Sequence, residues 1–380
     1  MINILICGDY CPRDRVADLI ESENYKAVFG EIVNYTSQAD YSIVNLEAPV
    51  VESEALPIAK CGPNLKCSSK AVKAIRYAGF DMVTLANNHF YDYGDRGVED
   101  TLKACKEQGV EFVGGGVNAM EASAVLYKEI NGVKIAIINC CEHEFSIATE
   151  SSGGANPLNA IRQYYDIQAA KRKADRVIVI VHGGHEHYNL PSPRMKETYR
   201  FFIDAGADVV VNHHQHCYSG YEEYKGRPIF YGLGNFCFDW RTQRNSFWNT
   251  GYMVSLKIDS DMYYELIPYV QGSDDYPGVH ILSDTERKGF DNQIKDLNKF
   301  ISNDNQLRTK RERFMAQTKD IYLLSLEPYQ NRYIRALYTR KLLPSSISAE
   351  RRLQLLNYLQ CESHIERLLY SLQNNKKNDC

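Results

Sequence analysis

The chain has 380 residues, 44% hydrophobic and 24% charged, enough for a large core and more than one domain in an ordinary globular composition. Its net charge of −4 lacks the basic excess of phosphate-backbone binders, so nucleic acid is not an expected partner. Eleven cysteines without one Cys-x-x-Cys pair exclude a zinc ribbon and a dithiol redox motif.

Ile2–Cys7 reads as a first strand that starts without a basic leader, which predicts a cytoplasmic protein. Cys7, Cys140 and Cys237 sit inside apolar runs, where a reduced thiol packs as a small hydrophobe. The strand ends at Gly8-Asp9, and a helix-length segment follows over about 14–36. Tyr41–Leu46 is a second strand, again closed by a carboxylate, Glu47. Residues 48–67, with Pro49, Pro57, Gly62 and Pro63, are irregular and predict a flap over a site. Ser68–Gly79 reads as a helix capped by serine and closed by glycine. Met82–Ala86 is a third strand, stopping at Asn87-Asn88-His89. A helix over Gly94–Gln108 leads to a strand near Phe112, and this alternation predicts a parallel sheet. Asn131-Gly132 between Val125–Ile130 and Val133–Asn139 is a strong hairpin signal.

After a polar stretch over 141–156 and a helix ending near Ala174, Arg176–Val181 delivers His182-Gly183-Gly184-His185-Glu186-His187. A helix over Arg194–Ala205 precedes Asp208-Val209-Val210-Val211-Asn212-His213-His214-Gln215-His216, a buried strand running into three histidines. Tyr221–Tyr224 with Ile229–Tyr231, and Tyr252–Ile258 with Tyr263–Val270, read as hairpins. Beyond a linker at Gln271–Gly278 the pattern turns helical, from the capping box of Ser283 and Glu286 to the leucines of 353–372. The expected domains are therefore 1–272 and a helical extension over 280–380. Residues 303–380 carry fourteen basic against eight acidic side chains, a docking arm for an acidic partner or an anionic membrane surface. No apolar run approaches the roughly 20 residues that span a bilayer.

Asp9, Glu47, Asn88, His182, His214 and His216 each fall just after an apolar strand, where the loops of an open α/β sheet converge on one crevice. Imidazole and carboxylate ligands without thiolate suit Mn²⁺, and also Fe²⁺ or Zn²⁺, and six are more than one ion usually takes from protein. Two divalent ions are expected, with His89 placed to protonate a leaving group.

These stretches resemble the CapA family of poly-γ-glutamate capsule biosynthesis proteins, within the calcineurin-like metallophosphoesterase superfamily. The matching residues are Gly8-Asp9, Asn45-Leu46-Glu47-Ala48-Pro49, Leu85-Ala86-Asn87-Asn88-His89 with Asp92 and Gly94, His182 with Gly184 and Glu186, His213-His214-Gln215-His216, and Leu233-Gly234-Asn235-Phe236 with Asp239. They run in the family's order over roughly 1–270. The resemblance implies a four-layer α/β/β/α sandwich, a dimetal role for the six ligands and an acid role for His89. Cys11, Asn45, Asp92, His185, Glu186 and Asn235 are expected to support the ligands or meet substrate. Cys11 stands where many metallophosphoesterases have a histidine. The implied activity is hydrolysis of a phosphoester, on a phosphorylated or polyanionic small molecule or polymer, linked to capsule or cell-surface polymer formation. The alternative is an accessory subunit, non-catalytic or amide-directed, that grips anionic polyglutamate through its metals.

Overall fold

The computed structural model describes residues 1–52, 54–329 and 331–373. In chain order its strands are β1 (Ile2–Tyr10), β2 (Tyr41–Leu46), β3 (Met82–Thr84), β4 (Glu111–Val113), β5 (Gly115–Gly116), β6 (Leu126–Ile130), β7 (Val133–Cys141) and β8 (Gly154–Ala155). There follow β9 (Arg176–His182), β10 (Val209–His213), β11 (Tyr221–Tyr224), β12 (Arg227–Phe230), β13 (Asn235–Cys237), β14 (Thr250–Ile258), β15 (Met262–Gln271) and β16 (Val279–Ile281). One sheet has the order β16-β15-β14-β1-β2-β3-β4, with β13 also paired to β1. A second has the order β11-β12-β10-β9-β7-β6, and β5 pairs with β8. In the first sheet β1 to β4 are parallel out to one edge and β14 to β16 are antiparallel at the other; in the second a parallel centre, β12-β10-β9-β7, is flanked by antiparallel β11 and β6. The hairpin turn at Asn131-Gly132 forms with φ of 48° and 83°, the left-handed pair that the Asn-Gly signal predicts.

Period-two alternation decides what each face meets. On the first sheet Leu5, Cys7, Val44, Leu46, Val83 and Leu85 enter one core with the helices Lys70–Tyr77 and Gly94–Gln108. Ile4, Ile6, Ile43 and Met82 point the other way and are equally buried, facing the second sheet. Asn139 bridges the sheets, its Oδ1 accepting from Ala86 N at 2.8 Å. Register puts Ile180 beside Asn139, and His182 beside both Cys141 and His213, on that inner face. The helices Ala160–Lys171 and Pro193–Ala205 cover the second sheet's outer face, where Tyr199 donates to Asn212. The layers are helix, sheet, sheet, helix, the sandwich that the resemblance implies.

Three features differ from the sequence reading. The helical segment 14–36 is broken into Arg15–Glu21, Tyr25–Phe29 and Ile32–Thr36, because Glu23 (φ 57°) and Gly30 (φ 47°) leave the right-handed region. β1 runs on past Cys7 to Tyr10, since β13 extends the ladder with Asp9 opposite Asn235. The chain divides into compact units at 1–308 and 309–380, so the boundary expected at 272–280 lies within the first unit. β16 joins the first sheet there, and the helix Asp284–Ile301 buries Phe290, Ile294, Leu297 and Ile301. Asn298 of that helix accepts from Tyr221 N at 2.8 Å.

The second unit is helical. Among its described residues, Arg332–Thr339 and Ala349–Gln360 bury no side chain, and Tyr333, Leu353, Leu359 and Leu372 are exposed. Among the described residues no helix is long and apolar enough to cross a membrane.

Candidate metal centre

The inner faces of the two sheets converge at the carboxyl ends of β1, β2, β9 and β10. Register places Asp9 beside Asn45 in the first sheet and His182 beside His213 in the second. Asp9 is fully buried, and its Oδ1 accepts from Asn45 Nδ2 at 2.7 Å and lies 3.1 Å from His213 Nδ1. Its Oδ2 accepts from His214 N at 3.2 Å. Burial pushes the Asp9 carboxyl upward, but the His213 hydrogen bond and the surrounding imidazoles outweigh it and hold the group below the usual carboxylate range.

Glu47, one residue past β2, is also fully buried. Among the described residues neither of its carboxylate oxygens has a hydrogen-bond partner. Burial, then the Asp9, Glu186 and Glu144 charges, raise its carboxyl well above the usual range. His182 Nε2 lies 3.7 Å and His216 Nε2 3.6 Å from Glu47 Oε1. Asn88 Oδ1 and His214 Nδ1 are each 3.1 Å from His182 Nε2. Burial and the neighbouring His214 hold His182 neutral, and burial lowers His216 to about 4, so lone pairs remain available to a cation.

Two sets of donors meet here, Asp9–Glu47–His216 and Glu47–His182–His214, each with its atoms within 4.8 Å of one another. Glu47 belongs to both. An orphaned buried carboxylate ringed by imidazoles and an amide oxygen is a donor set that fits divalent cations, which Asp9, Glu47, Asn88, His182, His214 and His216 would hold.

The loop after β10 aims its histidines at some cost in backbone strain. His214 has φ 93° and His216 φ 55°, in the left-handed region that β-carbon-bearing residues avoid. Asn235 orients His216. Its Nδ2 donates to the carbonyls of His216 and Trp248, each at 3.2 Å, so its Oδ1 is left to accept from His216 Nδ1 at 2.9 Å. That bond turns His216 Nε2 toward Glu47. The Trp248 ring packs 4.5 Å from the His216 ring and fixes its plane.

His89 lies beside this set. Its Nδ1 is 2.7 Å from Asp92 Oδ2, which leaves Nε2 as the ring's outward atom. His89 lines a cavity of about 80 Å³ with Pro63, Glu186, His187, His216, Trp240 and Trp248. A larger cavity of about 450 Å³ opens beside the helix Pro193–Ala205, where Lys196 and Arg200 are paired with Asp304 and Glu222 and Arg308 also lines the wall. The chemistry-bearing groups belong to the smaller one.

The six expected ligands and Asn45, Asp92 and Asn235 are thus brought together. Glu186 is exposed on the cavity wall, and His185 packs near Tyr188 with their rings 6.3 Å apart. Cys11 is in neither donor set. It is buried among apolar residues, where burial, then the Glu47 charge, push its thiol up. Asp239 binds Arg15 and Arg244, clamping the loops after β1 and β13. Two functional candidates had no role in the sequence reading. His213 is the last residue of β10, and its alternation with Val209 and Val211 was the available signal. Lys60, in the irregular segment, had none. Its Nζ pairs with Asp92 Oδ1 and lies 3.1 Å from His89 Nδ1.

Residues 3–240 match the family model "Bacterial capsule synthesis protein PGA_cap". A Bacillus anthracis protein named "Capsule biosynthesis protein CapA" is 34% identical over 255 residues, covering 64% of this chain and 62% of that protein. The Bacillus subtilis "PGA biosynthesis protein CapA" is 32% identical over 244 residues, covering 63% and 64%. The chain thus spans less than two thirds of the length of either relative. A crystal structure of a novel phosphatase from Mycoplasma pneumoniae aligns with a TM-score of 0.43 at 17% identity, covering 72% of this chain and 95% of that one. With 3–240 matched, the chain belongs to the bacterial capsule synthesis protein PGA_cap family.

Proposed function

We propose that the chain is a hydrolase with a two-cation centre that cleaves a phosphoric ester during formation of a capsule or another cell-surface polymer. The observation that carries this reading is Glu47, a fully buried carboxylate with no hydrogen-bond partner among the described residues, common to two sets of metal-capable donors. Asp9 and His216 would hold one ion with Glu47. Asn88, His182 and His214 would hold the other. The donors suit Mn²⁺, with Fe²⁺ or Zn²⁺ served by the same atoms. When bound, such a pair supplies Lewis-acid polarisation of the ester and activation of water.

The chain's own groups do the rest. His213 and Asn45 anchor Asp9, and Asn235 and Trp248 anchor His216. Asp92 holds Nδ1 of His89, so Nε2 is the atom that passes a proton to the departing oxygen. The capsule context is supported by the family and by the names of the two relatives. A cytoplasmic setting is supported by Cys7, Cys140 and Cys237, buried as thiols inside apolar strands. The second reading, an accessory protein that grips polyglutamate or cuts its γ-amide links, is favoured by the relative named for PGA biosynthesis.

The deciding experiment incubates the Mn²⁺-loaded full chain with phosphomonoesters, phosphodiesters and poly-γ-glutamate. Chelator-sensitive ester turnover upholds the proposal. Cleavage or binding of polyglutamate alone moves the chain to the second reading, and inertness toward every substrate overturns the hydrolase assignment.

A further inference from the structure

The segment 48–67 closes on one residue from several points. Ile58 N donates to the Asp92 carbonyl at 2.9 Å, and Leu65 N donates to Asp92 Oδ2 at 2.6 Å. Between these two, Lys60 brings its Nζ to Asp92 Oδ1, with a side chain only 3% exposed. Asp92 Oδ2 is the atom that meets His89 Nδ1. Both carboxylate oxygens are therefore assigned, one to the ammonium and one to the imidazole.

The ammonium also lies 3.1 Å from His89 Nδ1. An ammonium has three N–H donors and no acceptor, whereas the carboxylate on the other side of Nδ1 can only accept. Nδ1 is hemmed between opposite partners, and a ring flip that carried Nε2 into this corner would have to break the whole arrangement. We infer that Lys60 is a positioning residue for His89: by occupying Asp92 Oδ1 it aims Oδ2 at Nδ1, and so keeps Nε2 turned to the cavity that His89 shares with His216. The strap then belongs to the proton-donating apparatus as well as to the cavity wall, which it also meets through Pro63. This inference rests on the hydrolase reading for its kinetic consequences, though not for its geometric ones.

The test uses the full chain carrying Lys60→Met, Lys60→Arg or His89→Ala, and the double variant Lys60→Met with His89→Ala. Loss of an orienting partner is expected to lower turnover of an ester with a poor leaving group about ten-fold. The KM should stay within about two-fold, because positioning acts on the reacting state. Metal content should not change, Lys60→Arg should recover part of the loss, and Lys60→Met should add nothing once His89 is alanine. Additive losses in the double variant, or an equal loss on a nitrophenyl ester, overturn the inference. A second arm needs no activity. In Zn²⁺-loaded protein labelled with ¹⁵N-histidine, the signal that vanishes in His89→Ala should report Nδ1 protonation, and Lys60→Met should move it. If wild type hydrolyses nothing but that signal moves, the hydrolase reading falls and the positioning stands; an unmoved signal overturns the positioning itself. Lys60→Gln, which keeps a donor without the charge, replaces the methionine variant if the latter does not fold.

Discussion

Glu47 and Asp92 are both fully buried carboxylates beside the same crevice, and the fold treats them oppositely. Asp92 meets Leu65 N, the Lys60 ammonium and His89 Nδ1, so its oxygens are satisfied by protein. Glu47 has no hydrogen-bond partner among the described residues, and the Nε2 atoms of His216 and His182 lie 3.6 and 3.7 Å from its Oε1. As an anion a buried carboxylate without partners costs at least several kcal/mol, so burial raises Glu47 and favours its protonated form unless a cation takes the proton's place. The contrast separates two jobs. Asp92 is complete within the protein, whereas Glu47 is the carboxylate left open to a cation on the proposed reading.

The largest expected effect breaks the Glu47 side of that contrast. Glu47→Gln removes the anion shared by the two donor sets, so elemental analysis after dialysis against Mn²⁺ should show both equivalents lost and ester turnover with them. On the Asp92 side, His89→Ala should leave metal content intact. It should still lower turnover on a poor leaving group by about 10²–10⁴-fold, the range of general acid catalysis. With a nitrophenyl phosphate the loss should shrink, because that leaving group needs little protonation. An equal loss on both esters, or stripped metal, would take the acid role away from His89.

A smaller effect is expected from Asn235→Ala, which deletes the acceptor that turns His216 Nε2 inward. Titration of metal-free protein with Mn²⁺ should show affinity weakened by about 10–100-fold, as for other partners that orient metal ligands. Unchanged affinity would mean that Trp248 packing alone holds the ring.

The contrast reads directly in the sequence at some points and not at others. Asp9, Glu47, Asn88, His182 and His214 stand at the ends of short apolar runs, and β-strand periodicity is a local signal that needs no tertiary knowledge. The alternation of runs and helices announced a parallel sheet, whereas the four-layer sandwich was an implication of the family resemblance. Lys60 was illegible because it sits in an irregular segment where nothing in the local pattern distinguishes a surface lysine from one buried against Asp92. Asn235 was placed near the site, but its part in orienting His216 depends on carbonyls from two separate stretches. Cys11 was held open as a ligand; it is buried and stands in neither donor set, which no local pattern announces. The helix Asp284–Ile301 was assigned to the extension because helical periodicity does not say which sheet a helix will cover.

The smallest expected effect concerns stability without metal. Burial raises the Glu47 carboxyl above its unfolded value of 4.5, so over a window starting there the folded chain keeps a proton that the unfolded chain has released. That contribution is whole below 4.5 and is lost as pH rises toward the folded value. The depressed His182 and His216 slope the opposite way, but they are present in both proteins being compared. In chelator-treated protein, urea denaturation should therefore show Glu47→Gln gaining on wild type as pH rises above 4.5, by up to about 1.4 kcal/mol per pH unit. Parallel stability curves would mean that Glu47 is solvated or paired after all.

The most direct measurement is the metal stoichiometry of the full chain. Chelator-stripped wild type and Glu47→Gln would be dialysed against excess Mn²⁺, freed of unbound ion and analysed for bound metal per chain. Two equivalents on wild type and none retained by Glu47→Gln is the result expected of a carboxylate shared between two cations. A wild type that holds no metal, or a Glu47→Gln protein that still holds two, would contradict it.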